Sequence, residues 1–343
     1  MVSAVLQTSF LGDMVLTTPL LERLAGEGLV HVVATPANAA LLTNHPAVAS
    51  VIVFDKRGAD RGLGGLRRAA KRLRAVGAQR AYLAQGSSRT AALAWLAGIP
   101  ERISFDTSGG RWFTTQRVPY DRSLHHATRL WQLANAPGDR SAPSAIRPSL
   151  YPGAADYEAV GALLRAHAVL DGEPLVALAP GSVWATKRWP TYDQLAAELV
   201  QAPALRGARI VVLGAAVDAP LAQAIGDAVA KTGGAPAIDA TGRLSLLGSA
   251  ALLARCRILV SNDSAPLHLA SAMNTPTVAL FGPTVPALGF GPLAERRAVM
   301  QLDILSCRPC HAHGPRQCPL GHWRCMRDMS TQQVHEVVQR LIA

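Results

Sequence analysis

The chain is 343 residues long, 49% apolar and 17% charged, a globular composition of a length that suits two domains better than one. No apolar run approaches the ~20 residues of a membrane-spanning helix, and Met1–Phe10 lacks the basic start of a signal peptide, so a cytoplasmic address and reduced cysteines are expected. The net charge of +11 is uneven: residues 1–150 carry 18 Lys/Arg against 9 Asp/Glu, and residues 151–343 carry 16 against 14.

Ser3–Thr8 is an apolar run of strand length, followed by Ser9–Asp13 and a helical stretch over Met14–Ala25. His31–Ala34, Val51–Phe54 and Ala81–Ala84 read as further buried strands, with helical periodicity between them. Lys56–Arg80 holds nine basic residues and one acid, Asp60. Leu66, Ala70, Leu73 and Val76 fall there at helical spacing, so a solvated amphipathic helix accounts for the run. The surplus of charge equally suits an anionic partner: nucleic acid, an anionic membrane or a phosphorylated acceptor. No aromatic interleaves with the run, and the stacking platforms of a single-strand binder are therefore missing.

Ala136–Gly153 crowds four prolines and two glycines into a stretch without periodicity and reads as a linker. Beyond it, Leu175–Ala179, Arg209–Leu213, Ile258–Ser261 and Thr277–Phe281 are strands, with helices such as Tyr192–Val200 between. Alternating βα units with apolar strands imply parallel sheets covered on both faces. The expectation is an α/β chain of two Rossmann-like domains, 1–150 and 151–343, facing each other across a cleft, with the last helix free to pack back on the first domain. Ligands of such sheets sit beyond the carboxyl ends of the strands, so chemistry is expected in those loops.

After Ile258–Ser261, Asp263 or Ser264 suits an N-cap and Pro266 the first helical position. A helix starting there aims free N–H groups at an anion, and His268 adds a donor in its first turn. After Thr277–Phe281, Gly282-Pro283-Thr284 is a tight turn able to bring N–H groups to a phosphate. In the loop after Leu175–Ala179, with Gly181 and Ser182 at its start, Lys187 and Arg188 lie between Trp184 and Trp189. A partly dehydrated cation there would be effective against a diphosphate. In Ser9-Phe-Leu-Gly-Asp13, Gly12 permits a tight turn and Asp13 heads a helix. The loop lacks GxGxxG, which argues against a dinucleotide site, and Asp13 is either an N-cap or a general base. Cys307, Cys310, Cys318, His322 and Cys325 fall within 19 positions. Their spacing fits a structural zinc built from four thiolates or three and an imidazole, and equally a cluster of free thiols.

Three segments together resemble glycosyltransferase family nine, the ADP-heptose:lipopolysaccharide heptosyltransferases: Gly12-Asp-Met-Val-Leu-Thr-Thr-Pro-Leu20, Pro180-Gly181 with Lys187-Arg-Trp-Pro190, and Asn262-Asp-Ser-Ala-Pro-Leu-His268 with Ala279-Leu-Phe-Gly-Pro283. Gly-Asp-Met, Lys-Arg-Trp-Pro and the late cysteines lean toward the heptosyltransferase II type, while Ala265-Pro266 stands where the family more often has Gly. The resemblance implies a GT-B fold and inverting transfer of heptose from an ADP-heptose donor to the lipid A-linked inner core in a Gram-negative cell. Asp13 would be the base and Lys187 the catalytic cation. Ser182, Lys187, Asp263, Ser264, His268 and Gly282 would hold the donor nucleotide, with no obligatory metal. Arg57 and Arg61 would meet the acceptor. The basic first half would then lie on the anionic inner face of the inner membrane rather than on nucleic acid. Two rivals share the scaffold: a transferase using another nucleotide sugar, and a non-catalytic basic surface-binding protein.

Overall fold

Strands buried on both faces are apolar throughout, and Ala4, Val5 and Leu6 in the first strand have no exposed surface. The computed structural model describes all 343 residues, Met1–Ala343, which divide into two units, Met1–Tyr151 and Pro152–Ala343. The first runs β1 (Val2–Gln7), α1 (Leu11–Ala25), β2 (Leu29–Ala34), α2 (Pro36–Ala40), β3 (Ser50–Val53), α3 (Gly62–Arg74), β4 (Arg80–Leu83), α4 (Ser88–Leu96), β5 (Glu101–Phe105), β6 (Gln116–Val118) and α5 (His126–Gln132). The second runs α6 (Ala154–Ala166), β7 (Leu175–Ala179), α7 (Tyr192–Gln201), β8 (Arg209–Val212), α8 (Ala219–Ala230), β9 (Ile238–Asp239), α9 (Leu246–Arg255), β10 (Cys256–Asn262), α10 (Ala265–Met273), β11 (Thr277–Phe281), β12 (Arg297–Gln301), α11 (Arg324–Arg327) and α12 (Thr331–Ile342).

Each unit holds one six-stranded parallel sheet, ordered β3-β2-β1-β4-β5-β6 and β12-β11-β10-β7-β8-β9. The order is the same in both, with the reversal of direction between β1 and β4 and between β7 and β10. Two Rossmann-like domains are therefore present, as the alternation of strands and helices predicts. The strands that the sequence does not announce are β5, β6, β9 and β12. β9 has two residues, β6 has three, and the half-exposed β12 is an edge strand. α12 places Val334, Val337, Val338 and Ile342 in the core of the second unit itself. No helix is long and apolar enough to cross a membrane.

Two local features shape α1 and the loops after β1 and β4. Pro19 lies inside α1 and cannot donate to the carbonyl of Val15, and Thr18 Oγ1 donates to that carbonyl at 2.9 Å in its place. Where the sheet reverses, Gln7 Nε2 donates to Ala84 O at 3.3 Å and Gln85 Nε2 to Thr8 Oγ1 at 2.5 Å, tying the β1 and β4 loops together.

Glycines separate close packing from open helix surface. A Cβ at Gly65 in α3 would fall 2.1–2.4 Å from backbone atoms of Asp60, whereas one at Gly226 in α8 meets nothing within 4 Å. Gly65→Ala is expected to cost about 1–3 kcal/mol and Gly226→Ala to stabilise by about 0.5–1 kcal/mol. Urea unfolding of the two variants checks the opposite signs.

Candidate active site

Three loops of the second unit leave adjacent strands, after β7, β10 and β11. Lys187 ends a single 3-10 turn, Ala185–Lys187, and its Nζ lies 2.6 Å from Asp263 Oδ2 and 3.2 Å from the Asp263 carbonyl oxygen. Thr284 Oγ1 donates to the same Oδ2 at 2.7 Å. Lys187 is 7% exposed, Asp263 8% and Thr284 0%, so one ion pair out of water joins all three loops. Neither charge would be tolerated alone at that depth. Asn262 works beside them. Its Oδ1 accepts from Trp189 N at 3.1 Å and Tyr192 Oη at 3.3 Å, and its Nδ2 donates to Pro180 O at 2.8 Å. Burial pushes the Tyr192 phenol well above its ordinary value and keeps it a donor.

The capping reading of Asp263 and Ser264 is corrected. The Asp263 carboxylate is taken up by Lys187 and Thr284, and Ser264, though at the N-cap position of α10, makes no side-chain cap. Its hydroxyl turns to Asn262 O at 3.4 Å. The first N–H groups of α10 are therefore left without a side-chain cap, a setting that suits an anion. Ser264 is extended at φ −152° and Ala265 begins the helix, so this backbone has no need of glycine at the Ala265-Pro266 pair. His268 is buried in the first turn, its ring edge-on to Phe290 at 6.4 Å between centroids. Ser182 Oγ accepts from Trp184 N at 3.2 Å, and Ser182 O accepts from Arg188 Nε at 2.9 Å. Gly282 has no positive φ. The reason for glycine there is space, since a Cβ would meet the Met326 side chain at 2.7–2.9 Å.

What grips these loops is the segment carrying the late cysteines. Arg308 donates to the carbonyls of Phe281 (3.0 Å), Thr284 (2.9 Å), Leu302 (2.7 Å) and Gly282, and to Gln301 Oε1 (3.2 Å). Cys310 N donates to Pro283 O at 2.9 Å, Trp323 Nε1 to Thr186 O at 2.8 Å, and Thr186 Oγ1 to Pro315 O. A Cβ on Gly314 would stand 3.0 Å from Lys187 Cε. The same segment therefore touches the lysine loop and the β11 loop.

No group of three or more His, Cys, Asp or Glu side chains is placed to hold a metal ion, and Cys307, Cys310, Cys318 and Cys325 are free thiols. They differ chemically. Burial pushes Cys325 up to about 11 and raises Cys310. Burial also acts upward on Cys318, but N–H groups of Trp323, Leu320, Gly321 and His322 outweigh it and lower that thiol. His322 Nδ1 accepts from Arg324 N at 3.1 Å.

In the first unit Asp13 is the third residue of α1, and Gly12 before it is helical rather than the tight turn expected. Asp13 Oδ2 accepts from Phe10 N at 3.4 Å, and Oδ1 lies 3.9 Å from Nε2 of His126, the first residue of α5. Sequence reading missed His126, whose only signal is the His125-His126 pair opening a helix. Close by in sequence, a cavity of about 490 Å³ is lined by Thr8, Phe10, Thr35, Asn38, Lys56 and Arg57, among others. Lys56 Nζ donates to Thr8 O at 2.7 Å, and Asn38 Nδ2 to Ser9 O at 3.2 Å, fixing the loop that leads to Asp13. Arg57 thus borders this cavity. Arg61 does not line it and stands at the N-cap of α3.

A family model described as glycosyltransferase family 9 (heptosyltransferase) matches residues 66–323. Lipopolysaccharide heptosyltransferase 2 of Salmonella typhimurium is 26% identical over 347 residues, covering 99% of this chain and 98% of the relative. Lipopolysaccharide heptosyltransferase 1 of Pseudomonas aeruginosa is 29% identical over 344 residues, 95% of this chain and 91% of the relative. Among solved structures, E. coli ADP-heptose lipopolysaccharide heptosyltransferase II superposes with a TM-score of 0.81 at 24% identity, covering 100% of this chain and 98% of that one.

Asp263→Ala leaves the Lys187 ammonium buried and unpaired, and is expected to destabilise the protein by about 3–5 kcal/mol. Thr284→Val removes one hydrogen bond and should cost about 1 kcal/mol. Denaturant unfolding compares the two, and equal effects would show that the ion pair is not shielded from water.

Proposed function

This chain belongs to glycosyltransferase family 9, and on that premise we propose that it transfers heptose from ADP-L-glycero-D-manno-heptose to the inner core of lipopolysaccharide, as the second heptose. It is a glycosyltransferase with the GT-B fold. The observation that carries the donor reading is the Lys187–Asp263–Thr284 cluster at the strand ends, beside the N-terminus of α10. A lysine ammonium has three donors, and Asp263 accounts for the contacts to Oδ2 and to the backbone oxygen. The remaining N–H is available to a phosphate oxygen.

In the proposed reaction the acceptor hydroxyl oxygen attacks the anomeric carbon on the side opposite ADP. The bond from that carbon to the β-phosphate oxygen breaks, and its electron pair leaves with ADP, inverting the centre. Asp13 takes the hydroxyl proton. Negative charge grows on the diphosphate as the bond breaks, and Lys187, Ser182, Ser264, His268 and the N–H groups near Gly282 and at the start of α10 stabilise it there. These groups supply the positive potential that a divalent ion would otherwise give, so the reading calls on no metal. Arg57, at the cavity near the Asp13 loop, and Arg61 would meet anionic groups of the lipid-borne acceptor, at the inner face of the inner membrane.

Asp13→Asn should lower kcat by roughly 10²–10⁴-fold with ADP affinity unchanged, and near-wild-type transfer would remove the base role. Lys187→Ala should weaken ADP binding measured by calorimetry. Arg308→Ala should weaken it as well without touching a phosphate, because the β11 loop loses its anchor. A panel of nucleotide sugars tests the donor, and inner-core acceptors carrying no heptose or one heptose separate first from second transfer. Preference for the heptose-free acceptor would overturn the second-heptose assignment.

A further inference from the structure

One face of the first unit takes no part in the reaction as proposed. Leu66, Ala69, Ala70 and Leu73 of α3 pack inward with Ala91 and Ala94 of α4, and Phe113 packs on the same cluster. Helix α3, helix α4 and the 3-10 turn Arg111–Phe113 therefore cover one side of the sheet together and turn their other sides to solvent. On α3 that outer side presents Arg67, Arg68, Lys71, Arg72 and Arg74, all exposed, and the helix contains no acid. Three of the five are engaged: Arg72 with Asp60 at 2.7 Å, Arg68 with Ala59 O at 2.6 Å, and Arg74 with Leu96 O at 2.7 Å. Arg67 and Lys71 have no such partner, and they stand four residues apart, where like charges repel along a helix. The acids on the neighbouring elements are committed elsewhere, Glu101 to Arg80 at 2.6 Å and Asp106 to Tyr120 N at 3.0 Å.

The same face carries large apolar groups in water. Trp112 is 81% exposed, Leu63 at the start of α3 74%, and Trp95 at the end of α4 52%. The Arg111 guanidinium lies over the Trp112 ring at 5.6 Å. Unpaired cations alone would suit any polyanion. A leucine standing clear of the surface gains from entering an apolar phase and gives a nucleobase no ring to stack on, and indoles flanked by basic residues favour the boundary between lipid headgroups and chains. That combination selects lipid over nucleic acid.

We propose that this face docks on an anionic bilayer, with Trp112 and Leu63 entering the interface and Arg67 and Lys71 meeting lipid phosphates. Arg57 at the cavity and Arg61 at the N-cap of α3 connect the basic helix to the cavity through a few residues of chain. A lipid-borne acceptor would then reach the cavity from the membrane side, a step that rests on the function proposed above. The docking itself does not rest on it.

The test is co-sedimentation of the full-length protein with phosphatidylcholine vesicles with and without phosphatidylglycerol. Binding is expected only with phosphatidylglycerol and should weaken as salt is raised. The double variant Arg67→Glu, Lys71→Glu should lose roughly thirty-fold or more in vesicle affinity, and Trp112→Ala should lose affinity without changing the salt dependence. Both should keep transfer to a soluble, delipidated acceptor. Vesicle binding that is absent in the wild type, or unchanged in both variants, overturns the proposal, as does binding to single-stranded nucleic acid in preference to vesicles. Loss of vesicle binding in the variants of a protein that transfers no heptose would overturn the catalytic reading and leave the membrane face standing.

Discussion

Lys187 and Asp263 meet at 2.6 Å in a place water scarcely reaches, and the rest of the second unit's site is arranged around keeping them there. A buried ion pair of this kind holds only if both partners are positioned by other bonds, because desolvation is as large as the attraction. Asn262 positions the loop that carries Lys187, and Thr284 takes the same carboxylate oxygen. Arg308 in turn fixes Thr284 through its carbonyl. The result is a polar network in which each loop is held by another and none could keep its shape alone.

The first unit holds its loop without an ion pair. Its β1 loop is tied by Gln85, Asn38 and Lys56 acting on Thr8 and Ser9, with no buried carboxylate in the ties. Two copies of one sheet topology thus end in different chemistry. The second gathers cation, carboxylate and helix end at its strand ends, whereas the first sets a carboxylate, Asp13, in the first turn of α1 and opens a cavity lined in part by Lys56 and Arg57.

Legibility in the sequence followed burial. Leu175–Ala179 and Thr277–Phe281 begin and end on the residues predicted, because a strand covered on both faces is an uninterrupted apolar run. Gln116–Val118 and Arg297–Gln301 carry no such run and were invisible. Lys187 and Asp263 stand out as candidates because each sits in a loop after a strand. Their pairing does not, since 76 residues separate them and only the adjacency of β7 and β10 brings them together. Arg308 is hidden for a stronger reason. Between a cysteine and a proline it looks like any surface arginine, and its importance lies in backbone carbonyls that have no sequence signature at all. Cysteine spacing is silent on geometry for another reason, because C-x2-C constrains two thiols and says nothing about where the next two will point.

The grip of the late segment on the β7 and β11 loops also sets an order in time. Trp189 Nε1 donates to Met329 O at 3.0 Å, Trp323 holds Thr186, and Arg308 holds residues 281–284. During synthesis the first unit has every strand of its sheet in hand once Val118 has emerged. The β7 and β11 loops of the second must wait until the ribosome has made Met329, some 140 residues after the lysine loop appeared. A nascent chain released or stalled before that point would carry a formed first domain and an exposed, unbraced lysine loop.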